Sequence, residues 1–264
     1  MDFENLTEAE IEALVQEARK PALLLNKTKF PDGPGEPGCW LGGDPTLPPD
    51  IEWPYHEVEG VPVPLSFVAQ INLARVPRRP EFPPVPETGT LFFFFDPVFS
   101  TSDAKVIYVE DEFSRTPPRR MPDPEYAPCE INVDHFLDSI RFRKWNFDFL
   151  DFNTWYTGFH REIDQDYFLW SRIGDKQQPE INAAGRATEA RWAGSEPGSS
   201  QDMSLHYLFG CQSNRPAPSE DSVLLFNFCE DPDVGIVNCI DHLFWISPDA
   251  FASRDFDQVV FTKE

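Results

Sequence analysis

The groups in this 264-residue chain that could do chemistry are five histidines, five cysteines and 45 carboxylates. The histidines are His56, His135, His160, His206 and His242. None falls in an H-E-x-x-H or H-x-E with C-x-x-C pattern, the spacings that bring zinc ligands together. Asp134 precedes His135 and Asp241 precedes His242, but neighbours on a strand point to opposite faces. Only an assembly of distant ligands, such as His206 with Asp241, would make a metal site, and the sequence calls for no metal and no cofactor. The cysteines (Cys39, Cys129, Cys211, Cys229, Cys239) are odd in number, scattered and never in C-x-x-C spacing. They read as reduced, partly buried thiols of a cytosolic protein, because a chain of this length needs no disulfide scaffold. Cys211 follows His206 by five residues, which does not put the two on one strand face, and no G-x-S-x-G is present. The glycine-rich run from Gly33 to Asp44 lacks the G-K-[ST] and G-x-G-x-x-G of phosphate loops. Its Glu36 and Asp44 would repel an anion, so turns that need positive φ explain the glycines better. Asp231 and Asp233 could share a face or bind Ca²⁺, yet the EF-hand pattern is missing and a solvated loop is the expectation.

Two features stand out. The stretch 142–170 holds eleven aromatics, among them Trp145, Trp155 and Tyr156. Much of it must be core, and Trp and Tyr are also favoured interface anchors. The second feature is charge. Lys plus Arg number 22 against 45 acidic residues, a formal charge of −23. From Trp192 to Ser253 the only cation is Arg215, among carboxylates that include Glu220, Asp221, Asp231 and Asp233. Such a balance excludes a phosphate-backbone binder, which needs clustered cations to displace counterions. Solubility explains the charge, and so does an acidic face steering onto a basic partner. Basic clusters at Arg75, Arg78 and Arg79, and at Arg115, Arg119 and Arg120, either dock anions or pair internally. No apolar run approaches the roughly 20 residues of a membrane span. The acidic, amphipathic start leads us to expect no secretory signal and a cytoplasmic protein.

These residues must be positioned by a mostly β framework. Thr7 and Glu10 form a capping box that starts a helix with the stripe Ile11, Leu14, Val15 and Ala18, and Pro21 marks its stop. Proline, 27 in all, crowds the following region. Residues 31–64 are therefore expected to be an irregular wrap anchored by Trp40, Trp53 and Tyr55. Strands are expected at 65–72, 90–95, 104–110, 222–229, 242–246 and 257–262. The segment TLFFFF at 90–95 shows no polar alternation and should be buried on both faces. Helices are expected at 133–142 and, as a short turn, at 248–252, with a loop at 185–202. An apolar strand bearing one amide (Gln70, Asn227) precedes an aromatic strand in both halves of the chain, which suggests a duplicated β-unit. The fold class is thus α+β and predominantly β: mixed or antiparallel sheets from two related halves, with an N-terminal helix and few short helices. We expect a single domain over 1–264, with internal halves 1–130 and 200–264 joined by an aromatic-rich elaboration at 131–199.

The segments Leu41-Gly42-Gly43-Asp44-Pro45-Thr46-Leu47-Pro48, Trp53-Pro54 and Phe67-Val68-Ala69-Gln70-Ile71-Asn72 resemble the YwqG-like family, a bacterial family known mainly as a domain of unknown function. The likeness continues at Gly89–Asp96, Leu205–Gly210, Asp241–Ile246 and Asp255-Phe256, leaving about 100–200 unmatched. It implies a mixed, mostly β architecture from two related halves, and no reaction, cofactor or catalytic residue.

Two functions from different classes remain. The leading one is a non-enzymatic protein-binding module of the immunity or inhibitor type. It would neutralise a basic partner such as a toxin through Glu220, Asp221, Asp231, Asp233, Trp145, Trp155 and Tyr156. The other is an enzyme or small-ligand binder with a polar pocket between two β-halves around Gln70, Asn72, His206 and Asn227. The sequence leaves the oligomeric state open.

Overall fold

Thr7 starts the chain's first helix, α1 (Glu8–Ala18), through the expected capping box: the Thr7 N–H donates to Glu10 Oε2 at 2.8 Å and the Glu10 N–H to Thr7 Oγ1. The computed structural model describes residues 7–28, 32–98, 103–110, 116–124, 140–155, 206–211, 217–219, 221–236 and 241–263. The expected helix at 133–142, apart from its last residues, and the expected loop at 185–202 lie outside these. Ile11, Leu14 and Val15 bury the stripe against the sheet.

The chain leaves α1 directly into β1 (Arg19–Lys27), a strand the sequence reading did not anticipate because Pro21 was expected only to end the helix. Eleven further strands follow: β2 (Trp40–Leu41), β3 (Tyr55–Val58), β4 (Val61–Pro64), β5 (Ser66–Asn72), β6 (Thr90–Phe95), β7 (Ala104–Val109), β8 (Trp145–Trp155), β9 (Tyr207–Phe209), β10 (Val223–Phe228), β11 (His242–Ile246) and β12 (Val260–Lys263). Five of the six expected strands are present within a residue or so of their expected ends; the sixth, expected at 257–262, begins only at Val260, because Phe256–Gln258 form a 3-10 turn. The helix expected at 248–252 is α2 (Pro248–Ser253), capped by Ser247.

Ten strands form one sheet in the order β12-β11-β10-β9-β1-β8-β2-β5-β6-β7, every pair antiparallel, and β3–β4 is a separate hairpin. β1 is therefore central. Leu25 donates its N–H to His206 O on the β9 side, so by strand alternation the Pro21 nitrogen faces that side too. There β9 reaches only from Ala22 to Leu24, and no ladder hydrogen bond is lost to the proline. β8, from the stretch expected to join two halves, is the other central strand and pairs with β1 along nine residues.

The sheet folds over so that one face of its first half meets the same face of its second. Phe93 of β6 lies 4.8 Å from Phe226 and 5.2 Å from Phe244, ring centre to ring centre, and Phe95 packs on Phe228 and His242. On the opposite face of β6, Phe92 and Phe94 sit under the proline-rich wrap, with Trp53 edge-on to Phe94 at 5.3 Å. TLFFFF is thus buried on both faces, as expected. The wrap is held by Trp40 and Trp53, whose indole N–H donates to Leu65 O at 2.9 Å. Tyr55 is half exposed and anchors nothing there, because it points outward from the β3–β4 hairpin.

The two related halves are visible in the register. β5 and β10 each carry a bulge, between Phe67 and Ala69 and between Leu224 and Phe226, and in both the amide (Gln70, Asn227) is the next residue but one. Gln70 pairs with Trp40 and Asn227 with Tyr207. After each of these partners the chain turns through two left-handed residues: Gly42 and Gly43 in one half, Phe209 and Gly210 in the other.

Phe93, fully buried where the halves meet, is the position whose loss both should feel. Phe93→Ala is expected to cost about 3–5 kcal/mol in urea denaturation. Tryptophan fluorescence and far-UV circular dichroism should still report one transition, and separate midpoints would show that the halves unfold independently.

Candidate functional site

The four amide and imidazole groups expected to share a pocket are used within their own halves. Gln70 Oε1 accepts from the Thr46 N–H at 2.9 Å and hydroxyl at 3.1 Å, while its Nε2 donates to Gly38 O, so it fastens the wrap to β5. Asn72 accepts from the Ala74 N–H and donates to Pro37 O. Asn227 donates to Cys229 Sγ. His206 is fully buried and stacked on Phe228.

His206 belongs to a different constellation. Its Nδ1 accepts the Cys229 backbone N–H, so the proton must sit on Nε2, which donates to Asp231 Oδ2 at 2.8 Å. Lys27, from the end of β1, reaches the same carboxylate at 2.6 and 2.8 Å and Asp233 at 3.0 Å. Asp231 also accepts the N–H groups of Asp233 and Val234, closing the turn 231–236. Burial alone would raise the Asp231 carboxyl, but the His206 hydrogen bond and the Lys27 ammonium outweigh it and hold the group well below the usual carboxylate range. Burial pushes His206 down, against the pull of Asp231.

This geometry corrects the solvated-loop reading. Asp231 is 1% exposed and faces inward because the turn needs its carboxylate as acceptor. Trp145 is likewise core: its indole donates to Asp233 O at 3.0 Å and its ring lies under the Lys27 ammonium. Asp233 is partly exposed and paired with Lys27, and Asp221 is exposed. Trp155 is the last residue of β8, while Glu220 and Tyr156 lie outside the described residues. Burial pushes the Cys39 thiol up to about 12 and the Cys211 thiol up to about 11, so both stay protonated. Among the described residues no group of three or more His, Cys, Asp or Glu could hold a metal ion. No helix among them is long and apolar enough to cross a membrane.

A concave site among the described residues lies elsewhere, beneath the Gly42–Gly43 turn. A cavity of about 360 Å³ opens between Gly43 and Asp44, Phe67 of β5, the segment Pro118–Met121 and the run Ile140–Lys144 that leads into β8. Its apolar lining is Phe67, Pro118, Met121, Ile140 and Phe142; its charged lining is Arg120, Arg141, Lys144 and Asp44. Each wall is pinned. Arg119 turns inward, donating to Ile51 O at 2.6 Å with its guanidinium over Trp53. Its backbone N–H donates to Pro45 O, which sets the neighbouring Arg120 at the cavity. The Lys144 ammonium lies 4.4 Å from the centre of the Trp40 ring. Arg141 donates from Nη2 to Asp123, and its Nε, shielded from solvent, has no hydrogen-bond partner among the described residues. A Cβ on Gly43 would come within 2.7 Å of Lys144 Cβ, so glycine is required for the turn to close over this wall. The Arg143 N–H donates to Val234 O, tying the same wall to the turn built on Asp231.

Of the cluster Arg115, Arg119 and Arg120, the structure turns Arg119 inward onto the Ile51 carbonyl and the Trp53 ring and sets Arg120 at the cavity, while Arg115 lies outside the described residues. Arg141 and Lys144 were missed. Their signal was the run Arg141-Phe142-Arg143-Lys144, three cations in four residues of a strongly acidic chain.

Residues 40–264 match the family model described as Domain of unknown function (DUF1963). The match runs through the residues about 100–200 that the YwqG-like resemblance left uncovered, and it leaves out α1 and β1. No curated protein matches the chain.

Two stability measurements check the buried groups. Asp231→Asn should cost about 3 kcal/mol, because it leaves the Lys27 ammonium in the interior with Asp233 alone. The second is pH dependence. Burial pushes His242 down to about 4, below the unfolded value of about 6.5, so the unfolded chain binds the extra proton between these limits. Stability should be complete above about pH 6.5 and fall as pH drops towards 4, by on the order of 3 kcal/mol from this group. His206 adds in the same direction, and Asp231 extends the loss below about pH 4. His242→Gln should flatten the slope between pH 6.5 and 4; an unchanged slope would remove His242 from this account.

Proposed function

We propose a function for a chain that belongs to the DUF1963 family, described only as a domain of unknown function: it binds a small, partly apolar anion in the cavity under Gly43. The observation that carries this reading is the convergence of Arg120, Arg141 and Lys144 on an apolar lining in a protein of charge −23. Arg141 is paired with Asp123 and Lys144 lies over the Trp40 ring, yet both also line the concavity beside Arg120. The overall charge repels an anion at long range, but fields between exposed charges are screened beyond about 8 Å at physiological ionic strength. Inside the cavity the nearby cations dominate. The volume falls in the lower part of the roughly 300–1,000 Å³ typical of small-molecule sites. The protonated Cys39 and Cys211 thiols and the sealed His206 support binding rather than catalysis. Free Cys39, Cys211 and Cys229 fit a reducing compartment, hence the cytoplasm. The YwqG-like kinship and a bacterial origin belong to the same proposal.

The acidic docking module, which would neutralise a basic toxin, keeps the support of the net charge and of exposed Asp221. Asp231 and Trp145, turned inward, no longer serve it as anchors. The small-anion reading therefore leads.

Titration with octanoate and octyl phosphate, read on the methyl resonances of Met121 and Ile140, tests it. At least one anion should shift both signals saturably, and Arg120→Ala with Lys144→Ala should weaken binding by about tenfold or more. Resonances that stay unmoved by either anion would overturn the reading.

A further inference from the structure

The cavity is lined by one carboxylate as well as by three cations, and that carboxylate has no use in binding a plain anion. Resting on the small-anion reading, we infer that the anionic group the cavity takes is the carboxylate of a free amino acid with a large apolar side chain, and that Asp44 receives its ammonium.

The charges around the recess differ in what they already hold. Arg141 is bonded to Asp123, and Lys144 lies over the Trp40 ring. Arg120 and Asp44 are exposed, and neither makes a hydrogen bond or an ion pair with any described residue. They come from neighbouring segments: the Arg119 N–H donates to Pro45 O at 2.7 Å, and Asp44 and Arg120 each follow or precede that bond by one residue. A guanidinium and a carboxylate thus border one cavity without neutralising each other. A plain anion would gain from Arg120 and Lys144 and be repelled by Asp44. A zwitterion gains from all three, and an amino acid carries its two charges on one carbon, as suits groups on adjacent segments.

The backbone that carries Asp44 is set in place. Gly43 has a φ of +70° and its N–H donates to Phe142 O at 2.8 Å. Pro45 follows, and a residue before proline is held to extended conformations. The carboxylate is therefore anchored at the rim from both sides of its residue, between the turn and the segment that Arg119 grips.

The size of the side chain follows from the volume. A cavity of about 360 Å³ has room for about a dozen groups of water's size, at roughly 30 Å³ each. That suits an amino acid such as leucine or phenylalanine, its side chain against Phe67, Met121, Ile140 and Phe142.

Calorimetric titration of the full chain with phenylalanine, phenylpropanoate, which lacks the ammonium, and phenethylamine, which lacks the carboxylate, tests the assignment. Phenylalanine should bind about tenfold more tightly than phenylpropanoate, and phenethylamine weakest. Asp44→Asn should weaken phenylalanine by about tenfold and leave phenylpropanoate unchanged or tighter, a split that a merely structural role would not produce. Asp44 is exposed and bonded to nothing described, so this variant should keep the parent's urea midpoint; the ligand series on the unaltered chain decides if it does not. Phenylpropanoate binding as tightly as phenylalanine, or equal losses for both on Asp44→Asn, would overturn the amino-acid assignment and leave the anion reading standing. No binding of either carboxylate, or phenethylamine binding as well as phenylalanine, would overturn both.

Discussion

A carboxylate set among phenylalanines has to be matched, and much of the molecule is arranged around the matching of Asp231. Its partners come from three places: Lys27 from the end of β1, His206 from the entrance to β9, and the backbone of its own turn. An ion pair removed from water contributes little net stability over an apolar replacement, yet removing one partner is costly. Such a group acts as a register pin. It tells β1 where to stop relative to β9 and fixes the turn 231–236. Through Arg143 and Trp145 the turn in turn fixes the start of β8, which is one wall of the cavity. The charged centre that is sealed and the charged cavity that is open are linked through a single strand end.

How much of this was legible in the sequence depended on whether the determinants were local. The capping box at Thr7 and Glu10, the unbroken TLFFFF and the cap at Ser247 act within a few residues, and each is present as expected. β1 was hidden because its proline looks like a breaker; only the shortness of β9, which begins 186 residues after Pro21, makes the position permissible. Asp231 was misread for a similar reason. D-x-D after a strand looks solvated, and what buries it is a lysine more than 200 positions away. The cavity draws its cations from 118–121 and 140–144 and its roof from Gly43, three segments without a shared motif. The amides Gln70 and Asn227 did signal the duplication, but as fasteners of the framework rather than as parts of a site.

The two halves share bulges, amides and paired left-handed residues, and they differ in what covers them. The outer face of β10 and β11 is covered by α1 with aliphatic side chains, whereas that of β5 and β6 is covered by the tryptophan-rich wrap and the cationic segments. The same framework thus carries a purely apolar cover on one side and a cover with a charged recess on the other. Where the first half uses Gly42, the second tolerates Phe209 in the same left-handed conformation, its ring packed on Phe82. A Cβ at Gly42 would meet Arg143 O at 2.2 Å, so the recess side has no such freedom.

The central place of β1 also has a bearing on how the chain is made. It leaves the ribosome well ahead of its neighbours β8 and β9, whose last residues are Trp155 and Phe209. At the usual pace of about 5–20 residues per second, β1 would spend on the order of ten seconds or more without either partner. Its run Ala22-Leu23-Leu24-Leu25 is apolar on both faces, the kind of unpaired edge that aggregates. α1 leaves the ribosome just ahead of it, already capped and with its stripe suited to cover one side. The helix is then the strand's earliest companion during synthesis as well as its neighbour in the finished fold, a local escort for a strand that must wait for the rest of the sheet.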